Sequence, residues 1–254
     1  MQASPRPAFC PNFLEPASFQ GSTAIGIREV RFVVLVFLLS RVLIFSAMAV
    51  SPRFLAPVTS PGAWDLRNPL LRPLFRWDAG WYLSIARNGY SYDGALTRQQ
   101  NVAFFPLYPL ACRWCHAVTR LSIPLCAILL SHGAFLVGLL ALFDLTTREV
   151  GSRVARSAIL LLAFFPASLF FSAMYAEAFF LAFSVLAFGA FRRQRFIQGG
   201  LWAGLASATR APGILLMVPL LFEGYSCLRE RSKVMAVALA ALLTASGIGL
   251  FFLY

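Results

Sequence analysis

Apolar residues along this chain fall in long runs, and the breaks between the runs are basic, Pro-rich or Gly-rich. From Arg28 the order is a basic flank (Arg28, Arg31), an apolar run from Phe32 to Val50, then Ser51-Pro52. That order predicts a membrane span near the roughly 20 residues needed to cross hydrocarbon, followed by a breaker. Ala47-Met48-Ala49 also resembles a signal-peptidase site. Cleavage is disfavoured because Arg41 interrupts the apolar region and the charged flank comes late for a signal peptide. Further apolar stretches predict spans at 123–145, 158–174, 176–191 and 234–254, and a longer stretch covers 199–223. Inside that last stretch Thr209-Arg210-Ala211-Pro212-Gly213 breaks the pattern, which predicts a hairpin of two short helices, 199–209 and 213–223. Non-helical backbone at membrane depth is tolerated only where it is buried in protein or lines a polar cavity, so this turn should border one. The count is seven helical passes in an all-α polytopic membrane protein.

The polar breaks predict orientation. Arg148, Arg153 and Arg156 form one short loop, Arg192, Arg193 and Arg195 a second, and Arg229, Arg231 and Lys233 a third, whereas the turn from Tyr175 to Glu177 has no basic residue. By the positive-inside rule the basic loops are cytoplasmic and Glu177 faces out. The 52–121 segment carries eight Arg yet falls outside, as a loop longer than about 60 residues is free to do. It is rich in Trp and Tyr, which suit interfacial helices at a membrane surface. Residues 1–27 have no sustained apolar period and read as a flexible tail.

Composition sharpens the class. Of 254 residues 59% are hydrophobic and 13% charged, against roughly 45–50% and about 25% in soluble domains, which excludes a water-soluble enzyme. The net charge of +12 comes almost entirely from Arg, since Lys233 is the one Lys. Phosphate-bearing or anionic-lipid partners fit that excess. Nucleic acid does not, because the basic residues are scattered through loops and form no basic domain. Five Cys in so apolar a chain make no disulfide scaffold and leave the redox compartment open.

Candidate chemistry is sparse. Among ten acidic residues the outer face holds Asp65, Asp78, Asp93 and Glu177. Asp78, Trp81, Tyr82 and Ile85 recur at i, i+3, i+4 and i+7, which describes an interfacial amphipathic helix with a carboxylate near its N-terminus. Asp78 reads either as an N-cap or as a general base beside aromatic rings. Glu177, at a very short outer turn, is an ionisable group near membrane depth and a functional candidate by that cost. Arg41 and Arg210 are the two embedded cations: Arg41 reads as snorkelling, Arg210 as a planar fork able to hold a phosphate. Ala103-Phe104-Phe105-Pro106-Leu107-Tyr108-Pro109 reads as a Pro-punctuated re-entry elbow. Cys112-x-x-Cys115-His116 matches a haem-attachment string with nothing near it to suggest a haem pocket, and two His with scattered Cys give no zinc ligand set. No metal or cofactor is expected.

Arg76 to Tyr90 (RWDAGWYLSIARNGY), Ala103 to Leu110 (AFFPLYPL), Phe164 to Phe180 (FFPASLFFSAMYAEAFF) and Gly200 to Gly213 (GLWAGLASATRAPG) together resemble the GPI mannosyltransferase 2 (PIG-V) family and its bacterial relatives, within the GT-C class of membrane glycosyltransferases. The resemblance runs over 28–254. It implies a GT-C-like seven-helix module, an active site on the lumenal or periplasmic side, and a polyprenyl-phosphate sugar donor, typically dolichyl-phosphate mannose in eukaryotic members. Trp77-Asp78 falls on the family's Trp-Asp motif, and Tyr175 with Glu177 on its S-x-x-Y-x-E-like turn. The expected function is inverting sugar transfer to a lipid-linked or glycan acceptor at the bilayer, with Asp78 as base and Glu177 orienting it or binding sugar hydroxyls. Arg210, helped by Arg76 or Arg87, is expected to stabilise the leaving phosphate, and Trp77, Trp81, Tyr82, Tyr108 and Tyr175 to line the substrate. The family's further spans are missing after Tyr254, so a C-terminally truncated chain is expected, in a bacterial plasma membrane or, for a eukaryotic source, the endoplasmic reticulum. A transporter or lipid-handling protein, or an inactive fragment or subunit, remains the alternative; a transporter predicts internal repeats, and the two halves show none.

Overall fold

A computed structural model describes residues 25–54, 72–95, 97–225, 227 and 230–253. Most of the N-terminal tail, Trp64, Asp65, Arg229 and Tyr254 lie outside the described residues. The described residues form helices joined by turns and irregular connections, with no strand among them. Nine α-helices follow in order: α1 Ile27–Val50, α2 Ala79–Asn88, α3 Leu107–Thr119, α4 Ile123–Val150, α5 Ser152–Phe164, α6 Glu177–Arg192, α7 Phe196–Thr209, α8 Met217–Tyr225 and α9 Arg231–Leu253. Among the described residues three helices are long and apolar enough to cross a membrane: Ile27–Val50, Ile123–Val150 and Arg231–Phe252.

The predicted span at 158–174 differs most from the structure. Its helix stops at Phe164, because Phe165 precedes a proline and takes an extended conformation (φ −60°, ψ 138°), and a 3-10 stretch Pro166–Phe171 follows. The Pro-punctuated segment before α3 resolves similarly: Phe104 is extended and Pro106 caps a helix whose first turn tolerates Pro109.

The chain stretch with Arg210 at its break folds back on itself. After α7 a 3-10 stretch, Ala211–Leu216, leads into α8. A Cβ on Gly213 would lie 2.5 Å from the Ala206 carbonyl carbon, so only glycine permits the turn to lie against α7. Alongside, α7 packs closely on α9 through small residues: a Cβ on Gly200 would meet the Ala240 Cα at 2.5 Å, and one on Gly204 the Leu243 oxygen at 2.5 Å. Ser207 donates to the Thr244 carbonyl at 2.6 Å across the same contact. Glycines four residues apart let helix backbones touch, as membrane helix pairs require where lipid removes the hydrophobic driving force.

Charges collect at the two ends of the bundle. At one end Arg192 holds Glu149 with two nitrogens (2.9 and 2.7 Å) and Glu223 with a third (2.7 Å). Arg148 pairs with Asp144 at 2.8 Å, and Arg193 donates to the same carboxylate. Lys233 donates to Gln194 at 3.0 Å, which ties the Arg195 break to the start of α9. Arg156 lies over the Phe32 ring near the start of α1. The basic breaks therefore share one end with the N-terminus of α1. The turn before α6, the end of α7 and the start of α2 meet at the other.

Candidate active site

The second end is built on an aromatic core. Tyr82, Leu83 and Ala86 of α2, Tyr108 and Cys112 of α3, Ala127 of α4 and Met174, Tyr175 and Phe179 around the turn form one buried cluster. Tyr82 sits at its centre, edge-on to Phe104 (5.2 Å) and Tyr108 (5.5 Å) and tilted against Tyr175 (6.2 Å). Tyr108 is fully enclosed, with its hydroxyl 2.7 Å from Ser131 Oγ. It supports Tyr82 from behind, so the structure does not bring this expected substrate-lining residue to the surface. Burying one such ring contributes about 1.5–3 kcal/mol.

The amphipathic reading of α2 places its side chains well, with one difference. Tyr82 and Ile85 face the protein core rather than a membrane surface, and Trp81 is half-buried against Phe104. Asp78, at the head of that face, is exposed, and its carboxylate makes no capping hydrogen bond. The N-cap alternative thus has no hydrogen bond to support it. Arg87 lies in the last turn of α2, about 14 Å along the axis from Asp78 by helical rise, so the two are not brought together.

A latch sets the position of Asp78. The Tyr175 hydroxyl donates to the Arg76 carbonyl at 3.0 Å and accepts the Asp78 N–H at 3.1 Å. It bridges the backbone on either side of Trp77, whose φ of 52° is left-handed. That conformation costs a non-glycine residue about 1–3 kcal/mol and persists only where neighbours impose it. Burial pushes the Tyr175 phenol up to about 12, so it keeps the proton that it donates. The Met174 N–H donates to the Leu74 carbonyl at 3.1 Å and extends the latch. Trp77 itself is exposed and leans on Phe170, at 6.1 Å between centroids.

Glu177 opens α6 beside this latch, and Arg210 ends α7. They pair through Arg210 Nη1 and Glu177 Oε1 at 2.6 Å. Glu177 Oε2 is buried and accepts no hydrogen bond. The carboxylate therefore orients Arg210 rather than Asp78, while the arginine side chain remains 43% exposed. The other embedded cation behaves differently from expectation. Arg41 does not snorkel: it is 5% exposed and bonded within the protein. Sequence reasoning missed Ser168 and Ser172 as its partners, and Phe104 and Phe170 as ring contacts; serines in an apolar run were the only signal.

The haem-like string lies on α3 with Cys112 buried and His116 bonded to the Leu121 carbonyl oxygen (2.6 Å). His132 holds the Ile128 carbonyl and stacks on Phe45. Among the described residues no group of three His, Cys, Asp or Glu could hold a metal ion.

An all-helical membrane protein with an exposed, uncapped aspartate and a Glu–Arg pair gathered at one end of its bundle is the class defined so far. The chain matches the family described as Mannosyltransferase (PIG-V) over residues 23–254, and it belongs to that family. Its relatives include GPI alpha-1,6-mannosyltransferase 2 of Rattus norvegicus, 35% identical over 182 residues, which cover 66% of this chain and 35% of the relative. The Homo sapiens protein of the same name is 32% identical over 182 residues with the same coverage. GPI mannosyltransferase 2 of Drosophila pseudoobscura pseudoobscura is 37% identical over 120 residues, 43% of this chain and 25% of the relative. The chain thus spans about a third of the length of the mammalian relatives it matches. No solved structure matches it.

Proposed function

We propose that this chain carries the catalytic end of a membrane mannosyltransferase that moves mannose from a polyprenyl-phosphate donor to a lipid-linked or glycan acceptor, with inversion at the anomeric carbon. The observation that carries the reading is an exposed carboxylate without a capping bond, held by a strained and latched turn beside an oriented arginine. Asp78 takes the proton of the acceptor hydroxyl as its oxygen attacks the anomeric carbon. The bond from that carbon to the lipid phosphate breaks as the new glycosidic bond forms. One base and one cationic leaving-group site suffice for a single displacement. Arg210 receives the departing phosphate, held at the angle that Glu177 sets. Trp77 and Trp81 form the aromatic wall at the sugar with Tyr82 and Tyr175 packed behind it, Arg76 flanks the phosphate, and Tyr108 and Arg87 act from outside direct contact.

This reading assigns the bundle to a GT-C-like seven-pass module in 28–254, with α5, α6, α7 and the 211–225 stretch as short passes beside the three long helices. The end bearing Asp78 then faces the lumen or periplasm, and the basic end the cytoplasm. The names of the relatives favour mannose and a GPI-type acceptor. The donor is tested by supplying membranes with radiolabelled polyprenyl-phosphate mannose or, separately, with radiolabelled GDP-mannose under a block of lipid-phosphate mannose synthesis. Label is expected to pass only from the lipid donor, and transfer from the nucleotide sugar alone sinks the reading.

A further inference from the structure

Arg41 lies in the middle of α1, remote in sequence from every residue of the site, and its bonds are all but confined to one short segment. Nη1 donates to the Ser168 carbonyl (3.0 Å) and to Ser172 Oγ (2.7 Å); Nη2 donates to the Ala163 carbonyl (3.2 Å) and to Ser168 Oγ (2.5 Å); Nε donates to Ser40 Oγ (3.3 Å). All five N–H donors of the fork are thereby used. The cation lies over the Phe135 ring at 4.7 Å, and no carboxylate among the described residues pairs with it. Its fork supplies buried acceptors on Ala163, Ser168 and Ser172 that an apolar side chain would leave unpaired, so it ties α1 to that segment. A rigid planar fork does something apolar packing cannot, which is to fix the direction of several acceptors at once. The acceptors here are the Ala163 carbonyl in the last turn of α5, near the Phe165-Pro166 break, both oxygens of Ser168, Ser172 Oγ and, within α1 itself, Ser40 Oγ. Three residues after Ser172 comes Tyr175, whose hydroxyl holds the turn at Trp77.

We infer that Arg41 is a positioning residue for Asp78, acting through Ser168 and Ser172 to aim the Tyr175 latch. The functional part of this inference rests on the reading of Asp78 as base; the mechanical part does not. Arg41 sets the depth and angle of the 166–172 segment, that segment sets Tyr175, and Tyr175 holds Trp77 left-handed so that Asp78 projects from the head of α2. Loss of any link relaxes the Arg76-Trp77-Asp78 backbone and leaves the rest of the bundle in place.

Trypsin reads this link directly, because the Arg76 carbonyl that accepts from Tyr175 belongs to the scissile bond. Purified full chain in detergent micelles is digested briefly, and cleavage after Arg76 is quantified by mass spectrometry against cleavage after Arg98, whose side chain is 72% exposed. Arg41→Lys keeps the charge with three donors in place of five. It is expected to raise cleavage after Arg76 about tenfold through local opening, with cleavage after Arg98 unchanged. Tyr175→Phe is expected to do the same, and the double variant no more than either single, since both act on one link. Ser172→Ala, which removes one acceptor and no charge, serves where Arg41→Lys does not accumulate, with the same site-selective rise. Wild-type cleavage after Arg76 in these variants, a uniform rise at every site, or multiplying effects in the double variant each overturn the inference. In the transfer assay Arg41→Lys is expected to lower kcat about tenfold with donor KM within about twofold. Absence of transfer by the wild type counts against the proposed function alone, because proteolysis uses no substrate.

Discussion

The two ends of the bundle spend their charges differently. At the basic end Arg192 closes on Glu149 and Glu223, and Asp144 is shared by Arg148 and Arg193. Asp144, Glu149 and Glu223 each have a cation, and these pairs join α4, α6 and α8. At the opposite end one carboxylate is exposed and uncapped, another has one oxygen paired and one buried oxygen bare, and a tryptophan is held left-handed. Closed pairs join helices and resist change. Open valence and imposed strain cost stability, and they persist where a ligand completes them.

That contrast breaks or sharpens under substitution. The largest effect is expected at Asp78, where Asp78→Asn removes the proposed base and is expected to lower turnover by about 10²–10⁴-fold at unchanged protein level. Arg210→Gln follows, with an expected loss of about 10²–10³-fold in transfer, since it removes the cation proposed to receive the departing phosphate. Tyr175→Phe is expected to cost about tenfold, the value of one hydrogen-bonded latch, measured in kcat. At the basic end Arg192→Gln is expected to leave transfer per folded molecule unchanged and to lower stability by about 1–3 kcal/mol, read as a fall in Tm. A turnover loss with Arg192→Gln comparable to that with Asp78→Asn would erase the distinction between the ends.

Much of the fold was legible because apolar run length and basic breaks are local signals. The helix predicted from Phe32 begins at Ile27, and the one predicted at 123–145 runs to Val150, because amphipathic or polar turns extend a helix beyond its apolar run. The stop at Phe164 was written in Phe165-Pro166, but the surrounding hydrophobicity masked it. At the candidate site, Asp78, Glu177 and Arg210 were each visible as isolated charges in apolar surroundings. Their pairing was not: Glu177 and Arg210 lie 33 residues apart on different helices. Arg41 was visible as an embedded cation, yet its role depends on Ser168 and Ser172, more than 120 residues away. Such partners follow from tertiary packing and leave no periodic trace.

The most direct test places Asp78→Asn and Arg192→Gln side by side in membranes expressing the chain, supplied with radiolabelled polyprenyl-phosphate mannose and normalised to folded protein. Transfer is expected from the wild type and from Arg192→Gln and to be lost in Asp78→Asn, with only Arg192→Gln lowered in Tm. Transfer by Asp78→Asn at the wild-type rate would contradict the assignment of the chemistry to that carboxylate.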